Sequence, residues 1–167
     1  MKSKLLLLGI SFFFALLSPV FAAQTQAQQP PPQLTGDAAT ACQAIICLST
    51  GQPPNECSAA LARYFSIQFR RFSDTLRGRI NFLDLCPTSS AEGIPQLIND
   101  IANGAGNCDP DTLNTRLLTG DASNGEPTYI SNTLPGECAS YASNPLVRLN
   151  LVYVGDPNNG GRWAYGN

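Results

Sequence analysis

Leu61, Phe65, Phe69, Phe72, Leu76, Ile80 and Leu83 follow one another at three- and four-residue steps, the spacing that lines one face of an α-helix. It predicts a helix over 58–85 with one apolar stripe about 22 residues long, Ser73 and Gly78 as points of breakage or bending, and Pro87 as its end. Upstream, Asp37 can cap a helix that carries Cys42 and Ile46 to about Ser49, where Gly51 and Pro53-Pro54 stop it. Downstream, 94–103 reads as a helix ended by Gly104. Asp109-Pro110 supplies a cap and a first-turn proline for another helix through Leu118, before Gly120. The segment around Cys138, after Pro135-Gly136 and rich in Gly, Asn and Ser, reads as loop with at most one helical turn. Then the period changes. Residues 147–154 are apolar and β-prone, 156–161 form a turn, and Arg162-Trp-Ala-Tyr165 returns as a second strand. The fold class expected is mainly α, a small disulfide-linked helical domain with a C-terminal β-hairpin that Tyr153, Trp163 and Tyr165 pack onto the helices.

The N-terminus adds a compartment. Met1-Lys-Ser-Lys4 is basic, 5–20 is apolar, and Val20-Phe21-Ala22 has the pattern a signal peptidase cleaves, so 1–22 reads as a signal peptide. A membrane anchor is the alternative, but the run is shorter than the ~20 residues that span a bilayer. Residues 23–36, AQTQAQQPPPQLTG, read as a disordered or polyproline-like leader, which leaves 37–167 as the domain. Lys2 and Lys4 leave with the signal. The remainder then carries eight arginines against twelve acids and no histidine, a formal charge of −4 that does not suit nucleic acid.

Six cysteines in an exported chain, Cys42, Cys47, Cys57, Cys86, Cys108 and Cys138, point to three disulfides. Fifteen pairings are open. Cys47 with Cys57 is favoured because it closes the first turn onto the second helix. Cys57 with Cys86 is excluded if that helix is straight, since its ends would lie about 40 Å apart. Zinc would want short paired spacings and often histidine, whereas 4, 9, 28, 21 and 29 residues separate successive cysteines here. A cysteine nucleophile would lack its usual histidine base. Without histidine or a remaining lysine, paired carboxylates are the one catalytic route left, with Glu56, Glu92, Glu126 and Glu137 as candidates for a glycan-cleaving enzyme. Glu56 more simply favours the start of a helix, and the other three sit beside Gly or Pro in turns. No nucleotide-binding or serine-hydrolase motif occurs. We therefore expect no catalytic residue, no cofactor and no metal.

Arg63, Arg70, Arg71, Arg77 and Arg79 fall on the side of the 58–85 helix away from its apolar stripe. Arg63, Arg70 and Arg77, seven residues apart, would line up in one row, with Asp74 pairing two of them. Such a row is either an ordinary solvated face or a basic ridge for an acidic partner or phospholipid headgroups, a protein partner being preferred.

Several of these stretches together resemble a known family. Cys42…Cys47-Leu-Ser, Glu56-Cys-Ser, Arg63-Tyr-Phe-Ser-Ile67, Arg79-Ile-Asn-Phe-Leu83 and Leu85-Cys-Pro87 look like the TrbM/KikA-like conjugal transfer proteins, and the likeness resumes at Tyr153-Val-Gly155 and Gly160-Gly161 with Trp163. The resemblance implies a small exported periplasmic protein of mating-pair formation, working beside other conjugative transfer and type IV secretion proteins and bringing no catalytic residues. A carboxylate-dependent cell-wall glycan hydrolase and a secreted effector are the alternatives.

Overall fold

The first helix, α1 (Gly36–Leu48), buries Ala41, Ala44, Ile45, Cys47 and Leu48 along one side and leaves Ile46 exposed. This computed structural model describes residues 33–166, so the expected signal peptide and most of the expected leader lie outside the described residues. Asp37 is not the cap. It sits in the first turn of α1, where the positive helix end favours a carboxylate, and pairs with Arg63 at 3.4 Å. At the other end the Ser49 hydroxyl donates to the Ile45 carbonyl (2.7 Å) and the Thr50 hydroxyl to that of Cys47 (2.9 Å), each adding a second bond to a carbonyl that already accepts the same residue's backbone N–H. The chain then meets Arg148 side by side, and a Cβ on Gly51 would stand 3.0 Å from the Arg148 carbonyl.

The helix expected over 58–85 is two helices, α2 (Ser58–Phe65) and α3 (Phe72–Leu83), joined by an elbow at 66–71. The break comes before Ser73 and Gly78. Ser66 and Gln68 turn their side chains back onto the carbonyls of Arg63 and Phe65, which closes α2. The buried hydroxyl of Thr75 accepts the Phe69 N–H at 2.8 Å, and Arg71 takes an extended conformation before α3 begins. Gly78 lies inside α3 without breaking it. A Cβ there would fall 2.7 Å from the Phe69 ring and 2.9 Å from Ile67, so the glycine lets the elbow fold across the helix.

The next helix, α4 (Ile94–Gly104), has the predicted extent, with Pro95 in its first turn. Gly104 admits the ring of Tyr141, to which a Cβ would approach within 2.8 Å. In α5 (Pro110–Arg116) the Asp109 carboxylate accepts the Thr112 N–H (2.9 Å) as the cap anticipated. This helix stops short of Leu118, which instead begins β1 (Leu118–Thr119), paired antiparallel with β2 (Tyr129–Ile130) in a small hairpin the sequence did not announce. The region of Cys138 is helical rather than loop: α6 (Gly136–Ser143) spans about two turns and packs on α4.

The C-terminal hairpin is present as β3 (Leu151–Val154) and β4 (Arg162–Tyr165), with Tyr153 opposite Trp163; its first strand starts later than the apolar run suggested. Trp163 is buried edge-to-face against Tyr153, its backbone N–H goes to the Asn114 side chain (2.8 Å), and its indole N–H goes to the Ser131 carbonyl (3.0 Å). These contacts fix the hairpin to α5. Three disulfides complete the frame: Cys42–Cys86, Cys47–Cys57 and Cys108–Cys138. The second is the pair favoured from the sequence.

Candidate functional site

Arginines and aromatic rings interleave where α2 meets α3. The Arg63 guanidinium of α2 stands 5.0 Å from the centre of the Phe82 ring on α3, and the Arg79 guanidinium of α3 stands 4.9 Å from Tyr64 and 5.4 Å from Phe65 on α2. Each helix thus lays a cation on the other's rings. Arg79 was expected on the solvated basic face. It is only 8 % exposed, and its Nε has no hydrogen-bond partner. Burial pushes the Tyr64 phenol up to about 12, partly offset by the positive charge of Arg79. The phenol donates to the Ile101 carbonyl at 3.3 Å, linking this clasp to α4.

The elbow also changes the arginine row. Arg63 lies on α2, Arg70 in the elbow and Arg77 on α3, so the three do not line one continuous helix face. All three remain exposed. Asp74 pairs with Arg77 alone (3.1 Å), not with two arginines, while Arg63 goes to Asp37. Arg70 and Arg71 form no ion pair among the described residues.

Beside Arg63 is a groove of about 520 Å³, walled by Ile67, Phe69 and Leu85 over the buried Phe82, with Ser66, Gln68 and Asn81 also lining it. Phe69 is 58 % exposed, Phe72 62 % and Leu85 48 %. Their periodicity runs unbroken through the elbow and so predicts Phe69 and Phe72 in the apolar stripe. A dipeptide of arginines directly after Phe69 was the one local sign that this part of the stripe faces water.

The candidate carboxylates occupy separate elements. Glu56 lies in the 3₁₀ turn Asn55–Cys57, Glu92 in the turn before α4 and Glu126 in the β1–β2 connection. Glu137 is in the first turn of α6, not in a turn between elements. A 2.9 Å hydrogen bond from Arg116 holds its carboxyl below the usual range, the opposite of what a general acid needs. All six cysteines are in disulfides, so none can serve as a thiolate. No cluster of three or more His, Cys, Asp or Glu side chains suited to a metal occurs among the described residues. None of their helices is long and apolar enough to cross a membrane.

No curated protein sequence and no solved structure matches the chain. The TrbM family model does match, over residues 33–167, which takes in every element described above. The chain therefore belongs to the TrbM family and is a protein related to conjugal transfer.

Proposed function

We propose that this protein is an exported, periplasmic accessory component of mating-pair formation, acting by binding another protein of the type IV secretion apparatus rather than by catalysis. Family membership supports the conjugative setting. Three disulfides support passage through an oxidising compartment. The observation that carries the binding reading is the elbow, where arginines with no ion pair among the described residues neighbour aromatic side chains left in water on an otherwise acidic chain. Exposed apolar groups grouped with charge of one sign are the usual mark of a docking surface.

The test is transfer frequency from a donor whose only copy carries Arg63→Glu, Arg70→Glu and Arg77→Glu. We expect transfer to fall while the variant is exported, accumulates and keeps its three disulfides by peptide mass mapping. Wild-type transfer by such a donor would remove the elbow from the function. A peptidoglycan zymogram addresses catalysis separately: clearing that disappears with Glu137→Gln would replace this reading with a glycan hydrolase.

A further inference from the structure

We infer that the elbow groove takes an acidic segment of a partner polypeptide, which seats one apolar side chain between Ile67, Phe69, Phe82 and Leu85 while its carboxylates meet Arg63, Arg70 and Arg71. The inference rests on the binding role proposed above and adds the chemistry of the partner.

The groove is concave, and the polypeptide around it is tied down. Thr75 anchors the Phe69 backbone, the Phe69 ring lies across Gly78, and Arg63 covers the face of Phe82. A volume of about 520 Å³ can accept a Leu or Phe side chain together with the backbone that carries it. A bilayer surface is broad and gently curved and would leave such a hollow unfilled. Concavity therefore favours a polypeptide over lipid.

Charge selects the kind of polypeptide. Five of the chain's eight arginines fall within 63–79, although acids outnumber basic residues over the whole sequence. Of the exposed cations here, Arg77 is held by Asp74 at 3.1 Å, and Arg63 has only the longer, solvent-exposed contact to Asp37. Arg70 and Arg71 directly follow Phe69 and pair with nothing among the described residues, so their charge is open to an incoming carboxylate. An aspartate or glutamate flanking the apolar anchor meets them without first breaking an internal pair. A lysine-bearing segment would be repelled at the same place.

The test uses the full chain exported and purified from the periplasm, with short fluorescein-labelled peptides that hold one leucine or phenylalanine between aspartates and glutamates. Control peptides carry lysine for the acids, or alanine for the apolar residue. Anisotropy should show binding of the acidic apolar peptides in the micromolar range, weakening with added salt. Arg70→Glu with Arg71→Glu should weaken it about tenfold or more, as should the alanine control. Leu85→Ser, at an exposed position of the groove wall, should weaken it without unfolding the protein, and amide shifts on peptide addition should concentrate at Ile67, Phe69 and Leu85.

Equal binding of acidic and basic peptides, or binding indifferent to the arginine changes, would overturn the inference. So would capture by phosphatidylglycerol vesicles in place of peptide, or concentration-dependent dimerisation through the same residues by sedimentation. Transfer assays with the same variants separate this idea from the broader one. Lost transfer without peptide binding leaves the binding role standing and removes the acidic segment. Lost peptide binding with normal transfer removes the elbow from transfer altogether.

Discussion

Thr75 shows how one hydroxyl can decide the course of a chain. In the middle of a helical pattern a threonine is unremarkable, yet here its oxygen accepts the Phe69 N–H at 2.8 Å and can donate to the Phe69 carbonyl at 3.3 Å. The elbow's backbone is thereby satisfied without continuing the helix. Thr75→Val keeps the shape and removes both bonds, leaving a part-buried N–H unpaired at a cost of about 1–3 kcal/mol. Urea unfolding measures it, and an unchanged midpoint would show that the elbow does not depend on this contact. Tyr64 gives a pH signature. Its phenol, near 10 when unfolded, is pushed up to about 12 in the folded protein because burial disfavours phenolate. A raised folded pKa means that the unfolded chain loses its proton first. The contribution is therefore complete below pH 10 and is lost as pH rises from 10 towards 12. Thermal unfolding followed against pH should fall across that window, and Tyr64→Phe should flatten the fall. Tyr141 is raised as well, by burial, and its hydroxyl donates to the Leu48 carbonyl, so some alkaline sensitivity should persist in that variant.

At the scale of elements, the disulfides show what local patterning leaves open. Cys42–Cys86 ties α1 to the residues after α3 across 44 positions, whereas Cys47–Cys57 spans only 10 and closes a turn that Pro53 and Pro54 already shape. On loop-closure entropy, removing the longer bridge by Cys42→Ala with Cys86→Ala should cost about 1 kcal/mol more than Cys47→Ala with Cys57→Ala. Paired denaturant titrations compare them, and an equal or reversed order would mean that native packing, not chain entropy, sets the contribution. The same division explains which elements were legible. α4 and α5 announce their ends through Gly104, Asp109 and Pro110, whose effects act within a turn. α6 does not, because Gly136, Ser140 and Ser143 are weak helix formers, and what holds it is Cys138 bonded to Cys108 and Tyr141 lying against Gly104. β1 and β2, two residues each, are too short to show any period.

For the whole molecule, much of the candidate site was written in composition: no histidine, six cysteines, and arginines gathered in one short stretch. Its geometry was not. The apolar period makes 58–85 read as one helix with a row of arginines, bent or broken if anywhere at Ser73 or Gly78, and the folded chain breaks it earlier, at 66–71. The bend buries Arg79 against Tyr64 and Phe65 and turns Phe69 and Phe72 towards solvent. Transfer frequency with charge-reversed arginines reads what the bent surface does, independently of how it is held. Sequence by itself determined the helical class, the C-terminal hairpin, the number of bridges and the family, since these follow from local spacing, residue type and short motifs. Tertiary structure alone decided where the long helix breaks, which arginine lies inside, how four of the six cysteines pair and which aromatic side chains stay in water. The physical reason is that each of these depends on contacts between residues far apart in the chain or on rival hydrogen bonds, and neither leaves a period in the sequence.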